Sequence, residues 1–177
     1  DYYDLQYKAS HIMQNSISIL KDYRIENNIP INIDDDPNRT GLIGEDMTLL
    51  VTSVGNLQAK RTSTNPDFAA LMVKFFKELD LKAGDYIAIG ASGSFPALLI
   101  ATLSAAKVME LNPLIIYSIG ASNYGATIPG FTFIDMLREL NRKNIFDYKL
   151  LAVSLGGDGD LAQYMFFEES EAVFDQI

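Results

Sequence analysis

Between Asp85 and Leu155 the chain alternates strand-like and helix-like segments, and that pattern admits few folds. Tyr86, Ile87, Ala88 and Ile89 form a near-continuous apolar run, as do Leu114, Ile115, Ile116 and Tyr117. Such runs belong to strands of a parallel sheet that is buried on both faces. Strands are predicted over 85–91, 114–119 and 149–155, with helices over 95–110 and 131–141. The order is βαβαβ, which builds a parallel sheet through right-handed crossovers. The helix over 95–110 is apolar almost all round and should be deeply buried. The expectation is an α/β fold of three layers, with a mostly parallel sheet of about four strands around a βαβαβ core.

The preceding residues read as an arm. Leu5, Ala9, Ile12, Met13, Ile17 and Leu20 recur at helical steps, and Asn27, Asn28 and Pro30 close the helix. Residues 32–46 are rich in Asp, Asn, Gly and Pro and read as a loop. Residues 1–46 are therefore expected to form an N-terminal helical arm with an acidic loop, and 47–177 the α/β domain. Met47–Val54 is a short β-type run, and 58–64 reads as a polar loop. Asn65-Pro66-Asp67 is a helix start, with Asn65 as N-cap. Phe68, Leu71, Met72, Phe75, Phe76 and Leu79 would share the buried face of that helix. From Asp158 onward there are six acids and no base, which suggests a surface helix or frayed end.

Composition excludes several chemistries. There is no cysteine, so a disulfide scaffold, a thiolate metal site and a Cys nucleophile are ruled out. His11 is the single histidine. The net charge of −9 repels nucleic acid and anionic lipid at long range, so no nucleic-acid partner is expected. No segment reads as a membrane span, because the apolar helical stretch over 95–106 falls short of the ~20 residues a span needs. The chain is expected to be a soluble fragment. It opens at Asp1 without Met, in keeping with a trimmed N-terminus.

Ligands of open parallel sheets bind beyond the carboxyl ends of the strands. All three such ends are rich in Gly and Ser: Gly90-Ala91-Ser92-Gly93-Ser94, Ser118-Ile119-Gly120-Ala121-Ser122 and Ser154-Leu155-Gly156-Gly157-Asp158. The plain reading is tight turns; the functional one is close backbone approach to a ligand. At the first loop, the Gly93 and Ser94 amides at a helix N-terminus could hold an anion. Neither a Walker lysine nor a G-x-G-x-x-G pattern is present, so a nucleotide site is unsupported rather than excluded and the cofactor is left unknown. Gly90-Ala91-Ser92 opens like a nucleophile elbow, but Ser94 stands where the pattern needs Gly. A serine nucleophile, Ser92 or Ser94, could use Lys60 as base. His11, beside Ile12 and Met13, reads as a structural histidine. Lys60-Arg61 reads either as part of a solvated loop or as an anion clamp, with Arg61 bidentate on a carboxylate. Ser118, Ser122, Ser154 and Gly157 complete the candidate ligand site. Asp158 and Asp160 are weak metal candidates, and Asp34-Asp35-Asp36 reads mainly as a solvated turn.

Several strings resemble the poly-gamma-glutamate system protein family. They are Ala59-Lys60-Arg61-Thr62-Ser63-Thr64-Asn65-Pro66-Asp67-Phe68-Ala69-Ala70, Gly93-Ser94-Phe95-Pro96-Ala97-Leu98, Ser118-Ile119-Gly120-Ala121-Ser122 with Gly125-Ala126, and Ser154-Leu155-Gly156-Gly157. The resemblance runs from about Glu45 to Asp160. It implies an accessory component of bacterial poly-γ-glutamate synthesis and export, working with that machinery at the cell envelope. It also implies a membrane anchor outside this chain and further residues beyond Ile177. It carries over no catalytic residues. Because the chain and the polymer are both anionic, a short glutamyl unit suits the strand-end site better than a long polymer groove. The alternatives are a hydrolase or transferase acting on γ-glutamyl bonds, and a structural subunit without a ligand.

Overall fold

The computed structural model describes residues 2–162. In chain order the elements are α1 (Tyr3–Glu26), β1 (Val51–Ser53), α2 (Leu57–Ser63), α3 (Asp67–Glu78), β2 (Tyr86–Ser92), α4 (Pro96–Val108), β3 (Asn112–Ser118), β4 (Ala121–Ser122), α5 (Phe133–Arg142) and β5 (Leu150–Ser154). The fold is α/β. Strands β2, β3 and β5 form one parallel sheet in that order, and β1 pairs with β4 in a second, two-stranded parallel sheet.

The expected βαβαβ core is present, with the short β4 inserted in the chain between β3 and α5 and paired outside that sheet. Pro96 opens α4 at a position where its missing N–H is harmless. Nine of the helix's residues are buried, which follows from its all-round apolarity. Thr132 and Asp135 form a capping box that starts α5. The N-terminal helix is part of the body: α1 packs on α3, α4 and α5, and Ala9, Met13, Ile17 and Leu20 join the common core.

Three expectations are corrected. Residues 58–63 are not a loop but most of α2, with Thr64 as its C-cap; the N-cap Asn56 accepts a hydrogen bond from the Ala59 amide at 2.9 Å. On α3 the fully buried residues are the small Ala69 and Val73, while Phe75 and Leu79 are exposed. Lastly, the apolar runs in β2 and β3 do not mean burial on both faces. One sheet face carries the buried Ile115 and Tyr117; the other leaves Tyr86, Leu114, Ile116 and Leu151 exposed. Among the described residues, the third layer is therefore missing.

The acidic loop is held by charge. Arg24, in the last turn of α1, is 2% exposed. Its NH1 donates to the carbonyls of Gly41 and Ile43, both at 2.9 Å, and NH2 donates to that of Pro30. Asp36 accepts from the Gly41 amide at 2.7 Å and from the Thr40 hydroxyl. Arg24→Met keeps most of the side-chain stem but leaves buried carbonyls unpaired. We expect it to cost about 2 kcal/mol, read as a lower urea midpoint with an unchanged slope. An unchanged midpoint would show that these carbonyls find other donors.

Candidate functional site

Register aligns the strand ends. Ser92 lies opposite Ser118, and Ser118 opposite Ser154, so one serine from each strand forms a row at the carboxyl rim of the sheet. The loops beyond are locked together: the Gly93 amide donates to Ser118 O at 3.1 Å, Ile119 N to Ser154 O at 3.0 Å and Gly120 N to Leu155 O at 2.8 Å. Gly157 accepts from the Asp160 amide at 3.2 Å.

Lys60 reaches this rim from α2. It is 1% exposed, although lysine is rarely buried without a charged partner. Its Nζ donates to the Ser94 carbonyl and, at 2.8 Å, to Ser122 Oγ; it also sits 4.5 Å from the centroid of the Phe95 ring. Burial lowers its pKa from 10.5 to about 8, because desolvation penalises the charged form. None of the salt bridges among the described residues involves Lys60.

The serines are wired around this amine. The Ser122 amide donates to Ser94 Oγ at 3.0 Å, and Ser92 Oγ donates to Ser94 Oγ, also at 3.0 Å. On the other side, Asn123 Oδ1 accepts from the Gly55 amide at 2.5 Å, and its Nδ2 donates to Asp46 at 2.6 Å. A Cβ on Gly55 would stand 2.9 Å from Ser122 Oγ and 3.1 Å from Lys60 Cε, so glycine there leaves room for the pair.

The other expected residues go elsewhere. The Ser94 amide donates to Ser92 Oγ at 3.3 Å, and the Gly93 amide is bound to Ser118, so the proposed anion cradle is already occupied by the protein itself. Arg61 is no clamp over the strand ends. Its Nε donates to Asp35 O at 2.7 Å and its NH2 to Asp34 O at 2.5 Å, which ties α2 to the acidic loop. Ser154 donates to Asp160 Oδ1 at 2.6 Å, so Asp160 is engaged, while Asp158 is exposed. Among the described residues no three potential metal ligands gather. His11 is exposed on α1 and pairs with the Tyr7 hydroxyl at 3.1 Å. Of the candidate serines, the one in direct side-chain contact with Lys60 is Ser122. From the sequence it reads as a ligand contact rather than as a nucleophile. Its position is set by β4, which pairs with β1 through Val51–Ala121 and Ser53–Ser122 and is too short to leave a sequence signal.

No known protein-family model, curated protein or solved structure matches this chain. No helix among the described residues is long and apolar enough to cross a membrane.

Proposed function

We propose that this chain is a Ser–Lys acyl-transfer enzyme acting on γ-glutamyl amide bonds in poly-γ-glutamate production, with Ser122 as nucleophile and Lys60 as general base. One observation carries the chemistry: the buried Lys60 amine lies 2.8 Å from Ser122 Oγ. A nucleophile within hydrogen-bond reach of a base, with the base oriented by a third group, is the signature of covalent catalysis. The orienting group here is the Ser94 carbonyl. The substrate class and the place at the cell envelope rest on the sequence resemblance.

The steps follow from the geometry. Neutral Lys60 takes the proton of Ser122 as Oγ bonds to the amide carbon. Lys60 then protonates the departing amine, and the C–N bond breaks. Water hydrolyses the resulting ester: its proton passes to Lys60, its hydroxyl bonds to the acyl carbon, the acyl C–Oγ bond breaks, and Lys60 returns the proton to Ser122 Oγ. An acceptor amine in place of water gives transfer instead of hydrolysis.

The working form of Lys60 is the neutral one, and it gains population as pH rises through about 8. We expect kcat/KM for a γ-glutamyl peptide to rise about tenfold per pH unit below that point and level off above it. Purified protein incubated with short γ-glutamyl peptides should release glutamate or shorter products, followed by chromatography. Absence of any cleavage or exchange across pH 6–10 would end the enzyme reading.

A second reading has its own support. Lys60 is a buried amine without an acidic partner, so the carboxylate of a short glutamyl ligand could complete it. An accessory binding protein would then show calorimetric affinity for glutamate oligomers without turnover.

A further inference from the structure

Away from the strand-end rim, a cavity of about 680 Å³ opens between α1, the loop over 37–40 and the junction of α2 with α3. Three cations line it: Lys21 from α1, Arg39 from the loop and Arg61 from α2. No Asp or Glu does, in a chain with 23 acids and 14 bases. We propose that this cavity binds a small oxyanion with two or more negative charges, a polycarboxylate or a polyphosphate. Neither Lys60 nor Ser122 lines it, so the site stands apart from the Ser–Lys reading.

The three charges are uncompensated among the described residues. None of the salt bridges there involves Lys21, Arg39 or Arg61. Arg61 spends its Nε and NH2 on the carbonyls of Asp35 and Asp34, which orient the guanidinium without cancelling its charge and leave NH1 to donate. The acids of the neighbouring loop are engaged otherwise. The Asp35 carboxylate accepts from Asn32 Nδ2 at 2.6 Å, and the Asp36 carboxylate from Thr40 and the Gly41 amide. Like charges gathered at one cavity repel each other, and a multiply charged anion relieves that repulsion more than a single carboxylate does. Guanidinium groups suit carboxylate and phosphate oxygens alike.

The walls are fastened before any ligand arrives. A Cβ on Gly41 would stand 3.1 Å from Lys21 Cα, so glycine lets the loop lie directly on α1 beside that lysine. Arg24 and Asp36 hold Gly41 there through its carbonyl and its amide. On the far wall, Asn65 Oδ1 accepts from the Asp67 amide at 3.0 Å, which leaves Nδ2 as a neutral donor. Groups held in place in this way lose less freedom on binding. The volume falls in the ~300–1,000 Å³ range of small-molecule sites and exceeds what one carboxylate or phosphate group fills.

Calorimetric titrations with citrate, pyrophosphate and acetate at low ionic strength test the site. Citrate, pyrophosphate or both should bind with one-to-one stoichiometry, and acetate at least tenfold more weakly. Lys21→Gln combined with Arg39→Gln removes two exposed or half-exposed cations and should weaken binding at least tenfold, the scale of lost charge-assisted hydrogen bonds. Lys77→Gln combined with Lys82→Gln changes the net charge equally, lies off the cavity and should leave the affinity unchanged. In the unsubstituted chain, the bound probe should slow modification of Arg39 by phenylglyoxal and spare the rate at the exposed Arg138. Binding of citrate alone would make the ligand a carboxylate, and of pyrophosphate alone a phosphate; either bears the proposal out. Binding of neither, equal weakening by both double variants, or no protection of Arg39 would overturn it.

Discussion

If the proposed Ser–Lys chemistry holds, Lys60→Met should lower kcat/KM for γ-glutamyl peptide cleavage by about a thousandfold, the scale of a lost general base. Methionine keeps the length and apolar stem of lysine, so packing against Phe95 is largely retained while the amine is lost. Ser122→Ala should fall by as much, since nucleophile and base act as a unit and their losses do not add. Ser94→Ala should cost less, about tenfold, because its hydroxyl acts by receiving the Ser122 amide and so positions the nucleophile. His11→Asn should change nothing, as that ring sits on the exposed side of α1 beside Tyr7. Steady-state rates with circular dichroism as a check on folding decide the matter. Lys60→Met with full activity would remove the amine from the mechanism; a loss confined to Ser94→Ala would move the nucleophile.

Gly125→Ala should strike stability and the site together. A Cβ there would lie 2.4 Å from Gly93 O and 3.0 Å from Ser94 Cα. Both are backbone atoms, and Gly93 O also accepts from the Ala126 amide at 2.7 Å. Neither loop can yield without losing hydrogen bonds, so we expect a cost of about 3 kcal/mol. For a chain of this size that is roughly 6–12 °C in Tm. The loop carrying Ser94 would also move off Ser122, so activity should fall even well below the melting range. Calorimetry of the variant checks the first claim and its rate at low temperature the second. An unchanged Tm would mean that the two loops are not in the contact described.

Hydrophobic pattern read well wherever burial was apolar. The helices α1 and α4 and the three strands of the larger sheet were legible because their buried residues are Met, Leu, Ile and Ala at regular steps. The same method was blind to α2, whose buried residues are Lys60 and Ser63. Polar burial leaves no apolar period, and the remaining signal was Asn56 as a cap. Strand β4 has two residues, too few for any period to show. On α3 the large residues suggested the inner face, yet close approach to its neighbours places Ala69 and Val73 there. Continuous apolar strands pointed to a sheet covered on both sides, whereas among the described residues one face leaves Tyr86, Ile116 and Leu151 exposed. At the site, the residue types were readable and their pairing was not. Lys60 and the serine loops do meet; which serine it touches depends on the β1–β4 pairing. Arg61 departs from its neighbour because the carbonyls of Asp34 and Asp35 lie within its reach.

The pairing of β1 with β4 also bears on how the molecule assembles. Lys60 and Ser122 are 62 positions apart in the chain, and the segment between them holds α3, β2, α4 and β3. Closing so long a span costs entropy before its contacts can repay it. Lys60 and Ser122 should therefore meet late in folding, after the intervening layers have condensed, so a refolding chain would recover its helical signal before the proposed site is assembled.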